Sequence, residues 1–167
     1  VVAGSNAAAS EYNVALTVVG PETEEDYQAQ NDSIAQALEA GADAIVFSAI
    51  SYTENAAAID AAADAGLKIV VIDSDVDSRK VSARIGTDNL QAGLMTATAV
   101  LDTEMETLYV GIVNFDLGSR NGQEREAGLR QALEEDIRVQ GVYTVNVSAT
   151  STAAQAGVEI LMAEHPE

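Results

Sequence analysis

The feature that most constrains this chain is a recurring junction in which a helical stretch meets one glycine and then a short run rich in β-branched residues. Ala40-Gly41-Ala42-Asp43-Ala44-Ile45-Val46-Phe47 and Ala65-Gly66-Leu67-Lys68-Ile69-Val70-Val71-Ile72 are the clearest copies. In each, glycine falls where a helix C-terminus needs a left-handed residue. An apolar run without polar alternation is a strand buried on both faces, which belongs in a parallel sheet between helices. The pattern predicts an α/β chain of open parallel sheets with helices on both faces.

The same reading places strands at 15–19, 44–47, 69–72, 108–113 and 139–145, with a short sixth at 82–85. A helix starting near Thr23 would use that hydroxyl as its cap, set Glu24, Glu25 and Asp26 against the positive end of its dipole, and carry Tyr27, Ile34 and Leu38 on one face. Ser51 or Thr53 would cap the next, with Ala56, Ile59 and Ala63 inward. Asp88 or Asn89 would cap another, carrying Leu90, Leu94, Ala97 and Leu101. Helices over 122–133 and 153–162 would bury Leu129 and Leu133, then Val158 and Leu161. At roughly 150 residues per domain, 167 residues make one domain or pieces of two. The turn Gly86-Thr87-Asp88-Asn89 is the expected boundary.

Composition removes several functions. Eight Lys and Arg against 27 Asp and Glu leave a net charge of −19, whereas a duplex binder needs clustered cations to neutralise phosphates. A hydrophobic share of 47% with 21% charged residues marks a folding chain rather than an acidic disordered tail. Without cysteine there is no disulfide framework, thiolate nucleophile or cysteine-based zinc site. The single histidine, His165, lies at the C-terminal end, where an imidazole-based triad is hard to build. No apolar run reaches the roughly 18 residues needed to cross a bilayer, and no export signal is read at the start. Carboxylates fall mostly on helix surfaces, with no pair set apart for acid–base work. The reading is of a binder that needs neither cofactor nor metal.

In open α/β sheets ligands meet the loops at the carboxyl ends of the strands. Asp73 directly follows Ile69-Val70-Val71-Ile72 and is placed to accept hydrogen bonds from ligand hydroxyls, or else to cap a turn. Asp73-Ser74-Asp75-Val76-Asp77 begins like a calcium loop, but Ser78 stands where glycine is needed and Arg84 where the bidentate glutamate is needed. An Asp-x-Asp glycosyltransferase with manganese would show the same short pattern. Gly118 to Arg125 follows a strand and opens a helix, so Asn121 and its neighbours can reach a ligand at the helix N-terminus, although the Gly-Lys-Ser/Thr of a P-loop is absent. Arg125 and Arg130 could equally pair with Glu124, Glu126 and Glu134 on the helix surface. Ser48 and Ser51 end another strand, and capping explains Ser51.

Taken in order, Gly66 to Ser74, Ile85 to Asn89 with Ala92-Gly93, and Gly118-Ser119 to Gln123-Glu124-Arg125 with Gly128-Leu129 resemble the ribose-binding-protein-like periplasmic sugar-binding family. Ala7-Ala8-Ala9 to Tyr12-Asn13-Val14 and Leu161 to Pro166 fit it too. The resemblance implies two α/β lobes joined by a hinge and closing on a monosaccharide for an ABC importer or chemoreceptor. It makes 1–86 the N-terminal lobe and 87–167 part of the C-terminal lobe, with Gly86, Thr87 and Asp88 at the hinge. It makes Asp73 a sugar-hydroxyl acceptor and sets Ser74 and Gln123 where ribose binders commonly carry arginines; Ala49 replaces a common proline. It puts the first strand and its aromatic loop before Val1 and an Asn-Asp binding strand after Glu167, so these 167 residues alone are expected to bind sugar poorly.

The resulting expectation is an extracytoplasmic solute-binding protein, periplasmic or a cell-surface lipoprotein, whose partners are a sugar, a permease and a second copy met through exposed sheet edges. The effector domain of a LacI-type regulator shares the fold and is the alternative. Acidity and only two lysines, Lys68 and Lys80, favour the former.

Overall fold

A computed structural model describes residues 1–115 and 118–166. Along the chain run α1 (Val2–Tyr12), α2 (Tyr27–Glu39), β1 (Ala44–Phe47), α3 (Ala56–Asp64), β2 (Lys68–Ile72) and β3 (Ala83–Ile85). After these come α4 (Asn89–Leu101), β4 (Leu108–Asn114), α5 (Arg120–Glu134), β5 (Val139–Asn146) and α6 (Ser151–Glu164). The strands form two sheets, one ordered β1-β2-β3 and one pairing β4 with β5. Every pairing is parallel, as the unbroken apolar runs require. The turn at 86–88 lies between the last strand of the first sheet and α4.

The two helix–glycine–strand junctions form as expected. Gly41 (φ 74°) and Gly66 (φ 104°) take the left-handed conformation after α2 and α3 and turn the chain into β1 and β2. Ile69 and Val71 of β2 then meet Ile34, Ile59 and Ala62 in one core. The second sheet is covered by α5 and α6, both of which contact β4 and β5, and Leu133 of α5 is fully buried. Among the described residues no helix is long and apolar enough to cross a membrane.

Several sequence expectations need correction. Residues 15–19 form no strand. The described residues offer them no ladder partner, and Val14, Leu16, Val18 and Val19 stay exposed. α2 starts later than Thr23: the Asp26 carboxylate accepts the Ala29 amide at 2.9 Å, a stronger cap than a hydroxyl. α3 starts at Ala56 rather than next to Ser51 or Thr53: the Ser51 hydroxyl caps the preceding turn by accepting the Glu54 amide at 3.2 Å, and Asn55 holds that turn by accepting the Ser51 amide at 2.9 Å. Leu90 and Val158 are exposed, and the buried faces of α4 and α6 run instead through Gly93 and Ala97 and through Gly157. At Gly93 the backbone of α5, and at Gly157 the side chains of Val113, Val145 and Val147, take the space that a larger side chain would fill.

Candidate functional site

β2 ends at Ile72, and the next residue turns sharply: Asp73 adopts φ 57°, a conformation that Asp and Asn tolerate better than other side chains. Its amide donates to the Ile85 carbonyl at 2.9 Å, tying the turn to β3. A Cβ on Gly86 would lie 2.9 Å from the Asp73 carbonyl oxygen, so the crossover can pass over this turn only without a side chain. The Ser74 carbonyl accepts the Ala49 amide at 3.1 Å, joining the loops after β1 and β2. A proline at position 49 would forfeit that bond.

On the opposite side, Ser119 caps α5 by accepting the Gly122 amide at 3.3 Å. This sets Asn121 in the first turn, where its side-chain amide lies 3.4 Å from an Asp73 carboxylate oxygen. Tyr52, in the loop after β1, donates its amide to the Gly118 carbonyl at 2.8 Å, and the Arg120 guanidinium lies 5.0 Å from the centre of its ring. Loops of the first sheet thus touch the start of α5 at three points. The cleft between them measures about 670 Å³, within the usual range of small-molecule sites.

Polar groups reach this cleft from Asp73, Ser74, Ser48, Asn114, Asn121 and Arg125, while Ala49, Ile50, Phe115 and Pro21 supply apolar surface. Glu22 and Glu24 of the loop before α2 add two more acids at its rim. One arginine against three carboxylates favours a neutral hydroxyl-rich ligand over an anion. The Ser74 hydroxyl is buried and has no hydrogen-bond partner among the described residues, which leaves it free to bond a guest.

Four residues singled out in the sequence, Asp73, Ser74, Ser48 and Asn121, therefore line one cleft. Gln123 does not, since it lies on the exposed side of α5. Arg125 does, and its Nε donates to Asn89 at 2.7 Å. The sequence alone allows it either a ligand role or a surface pairing. Two contributors went unnoticed altogether. Gln30 donates to the Ser48 carbonyl at 2.8 Å and accepts the Ile50 amide at 3.0 Å, bracing the loop after β1. Asn114 ends β4, a position that the strand-end rule could have flagged.

The acidic run does not converge on one point. Asp75 accepts from Arg84 Nε at 2.7 Å, so the residue that breaks the calcium pattern neutralises a would-be ligand. Asp77 instead accepts from the Tyr52 hydroxyl at 3.4 Å. Among the described residues no group of three or more Asp, Glu or His side chains could hold a metal ion. Lys80, Asp136 and Arg138, whose pKa values are displaced, lie outside the cleft. Hydrogen bonding to Asp64 raises the Lys80 ammonium, while the Asp136–Arg138 pair lowers the carboxyl and raises the guanidinium.

Comparison with known proteins gives the family. Residues 1–167, the whole chain, match the Periplasmic binding protein domain family. The chain belongs to that family. It is 21% identical over 152 residues to the ribose import binding protein RbsB of Bacillus subtilis, covering 91% of this chain and 49% of that protein. This periplasmic binding protein domain thus spans about half the length of the curated relative it matches. A carbohydrate transporter solute-binding protein of Agrobacterium radiobacter, solved with D-arabinose, superposes with TM-score 0.90 at 23% identity over 99% of this chain and 58% of that one. A sugar transporter of Clostridium phytofermentans gives TM-score 0.87 at 30% identity over 99% of this chain and 60% of that one.

Proposed function

We propose that the native protein to which this chain belongs captures a neutral monosaccharide or similar polyol between two lobes, to which 1–86 and 87–167 contribute, outside the cytoplasm, and presents it to the permease of an ABC importer. The observation that carries the reading is the meeting of Asp73 and Asn121 across one cleft. Asp73 brings a carboxylate from the end of β2, and Asn121 an amide from the first turn of α5. Carboxylate acceptors and amide donors around an apolar floor are what a ring of hydroxyls and C–H groups requires. Relatives named for ribose import and solved with D-arabinose support the same class of ligand. The role is binding rather than catalysis.

The LacI-type alternative shares the fold, and net charge favours the transport reading over it. The Asp-x-Asp transferase reading loses its footing, because Asp75 is engaged by Arg84. We further propose that β1 and β4, each paired on one edge among the described residues, offer the edges through which two copies of the chain associate. Calorimetric titration of D-ribose and D-arabinose into the native protein tests the ligand class, and sedimentation tests the dimer. A monomer at micromolar concentration would end the second proposal without touching the first.

A further inference from the structure

We propose that Asn89 is the positioning residue of the cleft, setting Arg125 and Asn121 toward the ligand although it does not line the cleft itself. The inference rests on the sugar-binding reading above. Asn89 is the first residue of α4, next to the 86–88 turn, and only 3% exposed. Its Oδ1 accepts Arg125 Nε at 2.7 Å. Its Nδ2 donates to Asn121 Oδ1 at 3.0 Å and to the Thr87 carbonyl at 3.3 Å. Asn121 in turn donates to Asp73 at 3.4 Å. One buried amide thus fixes the two cleft-lining side chains of α5 and anchors both to the crossover between the sheets.

The chemistry explains why the residue is an amide. Arg125 needs an acceptor and Asn121 needs a donor, and only a side chain carrying both on one planar group serves the two at once. Aspartate keeps the acceptor and loses the donor. Alanine loses both and strands the partners, whose orientation then becomes free.

The test compares the wild type with Asn89→Asp and Asn89→Ala in the native protein. It measures D-arabinose affinity by calorimetry, melting temperature, and the NMR signals of Arg125 Nε–H and the Asn121 side-chain amide without sugar. The expected affinity loss for Asn89→Ala is about tenfold or more, the scale of a lost hydrogen bond to a charged group, with Asn89→Asp in between. The Arg125 Nε–H should stay protected from exchange in Asn89→Asp and lose protection in Asn89→Ala. Unchanged affinity in Asn89→Ala, unmoved side-chain signals, or affinities that simply follow melting temperature would overturn the proposal. If the wild type binds neither D-arabinose nor D-ribose, the functional reading falls. The two side-chain signals then decide alone whether Asn89 holds these groups, collapse in Asn89→Ala supporting it and persistence refuting it.

Discussion

Gly93 and Gly128 interlock where α4 crosses α5: a Cβ on Gly93 would lie 2.2 Å from the Arg125 carbonyl oxygen, and one on Gly128 would lie 2.1 Å from that of Leu90. Neither obstacle is a flexible side-chain end, so relief means moving a helix. Arg125 and Asn121, which line the cleft, sit on this same α5.

Alanine at either position gains about 1 kcal/mol of helix propensity but must separate two backbones, an overpacking cost of about 1–3 kcal/mol or more. The clash wins. Gly93→Ala and Gly128→Ala should each lower the urea midpoint. Gly4→Ala, in α1 with nothing near its Cβ position, should leave the midpoint unchanged or raise it. Equal behaviour of all three would contradict the interlocked crossing.

Acid sensitivity should report on Asp136. Hydrogen bonds from Arg138 hold its carboxyl below the usual range, while the same guanidinium reaches the Leu101 and Thr103 carbonyls at 3.0 and 2.8 Å. A carboxyl depressed in the folded state stabilises above its unfolded pKa, and this support fades as pH falls through the lower folded value. Asp136→Asn should therefore be less stable than wild type at pH 7, with the gap closing below about pH 4, near the ordinary Asp value. Urea melts at both pH values decide it; a constant gap would assign the effect to packing.

Ser74 sets stability against function. Its buried hydroxyl has no partner among the described residues, and an unmet polar group costs about 1–3 kcal/mol. Ser74→Ala should raise the melting temperature of the sugar-free protein and weaken D-arabinose binding. A higher melting temperature with unchanged affinity would remove Ser74 from the ligand site.

The parts of this architecture legible in sequence were those governed by local rules. Gly41 and Gly66 announced their junctions, and the run from Ile69 to Ile72 announced a buried parallel strand with Asp73 at its mouth. What stayed hidden depends on distant partners. Residues 15–19 have the composition of a strand, but pairing decides strands, and the described residues supply no neighbour. The glycine faces of α4 and α6 escaped a search for leucines because tight helix contact uses the absence of a side chain. Asn89 read as a candidate cap; its bonds to residues 32 and 36 positions away appear only in three dimensions.

The measurement that bears most directly on the central claim is the affinity of the native protein and of Asp73→Asn for D-ribose and D-arabinose. Asparagine suits the left-handed turn at φ 57°, whereas Asp73→Ala would add backbone strain of about 1–2 kcal/mol and confuse folding with binding. Saturable binding of at least one of these sugars is expected, weakened about tenfold or more by Asp73→Asn with little change in melting temperature. Saturable binding that Asp73→Asn leaves untouched, or no binding of either sugar by the native protein, would contradict that claim.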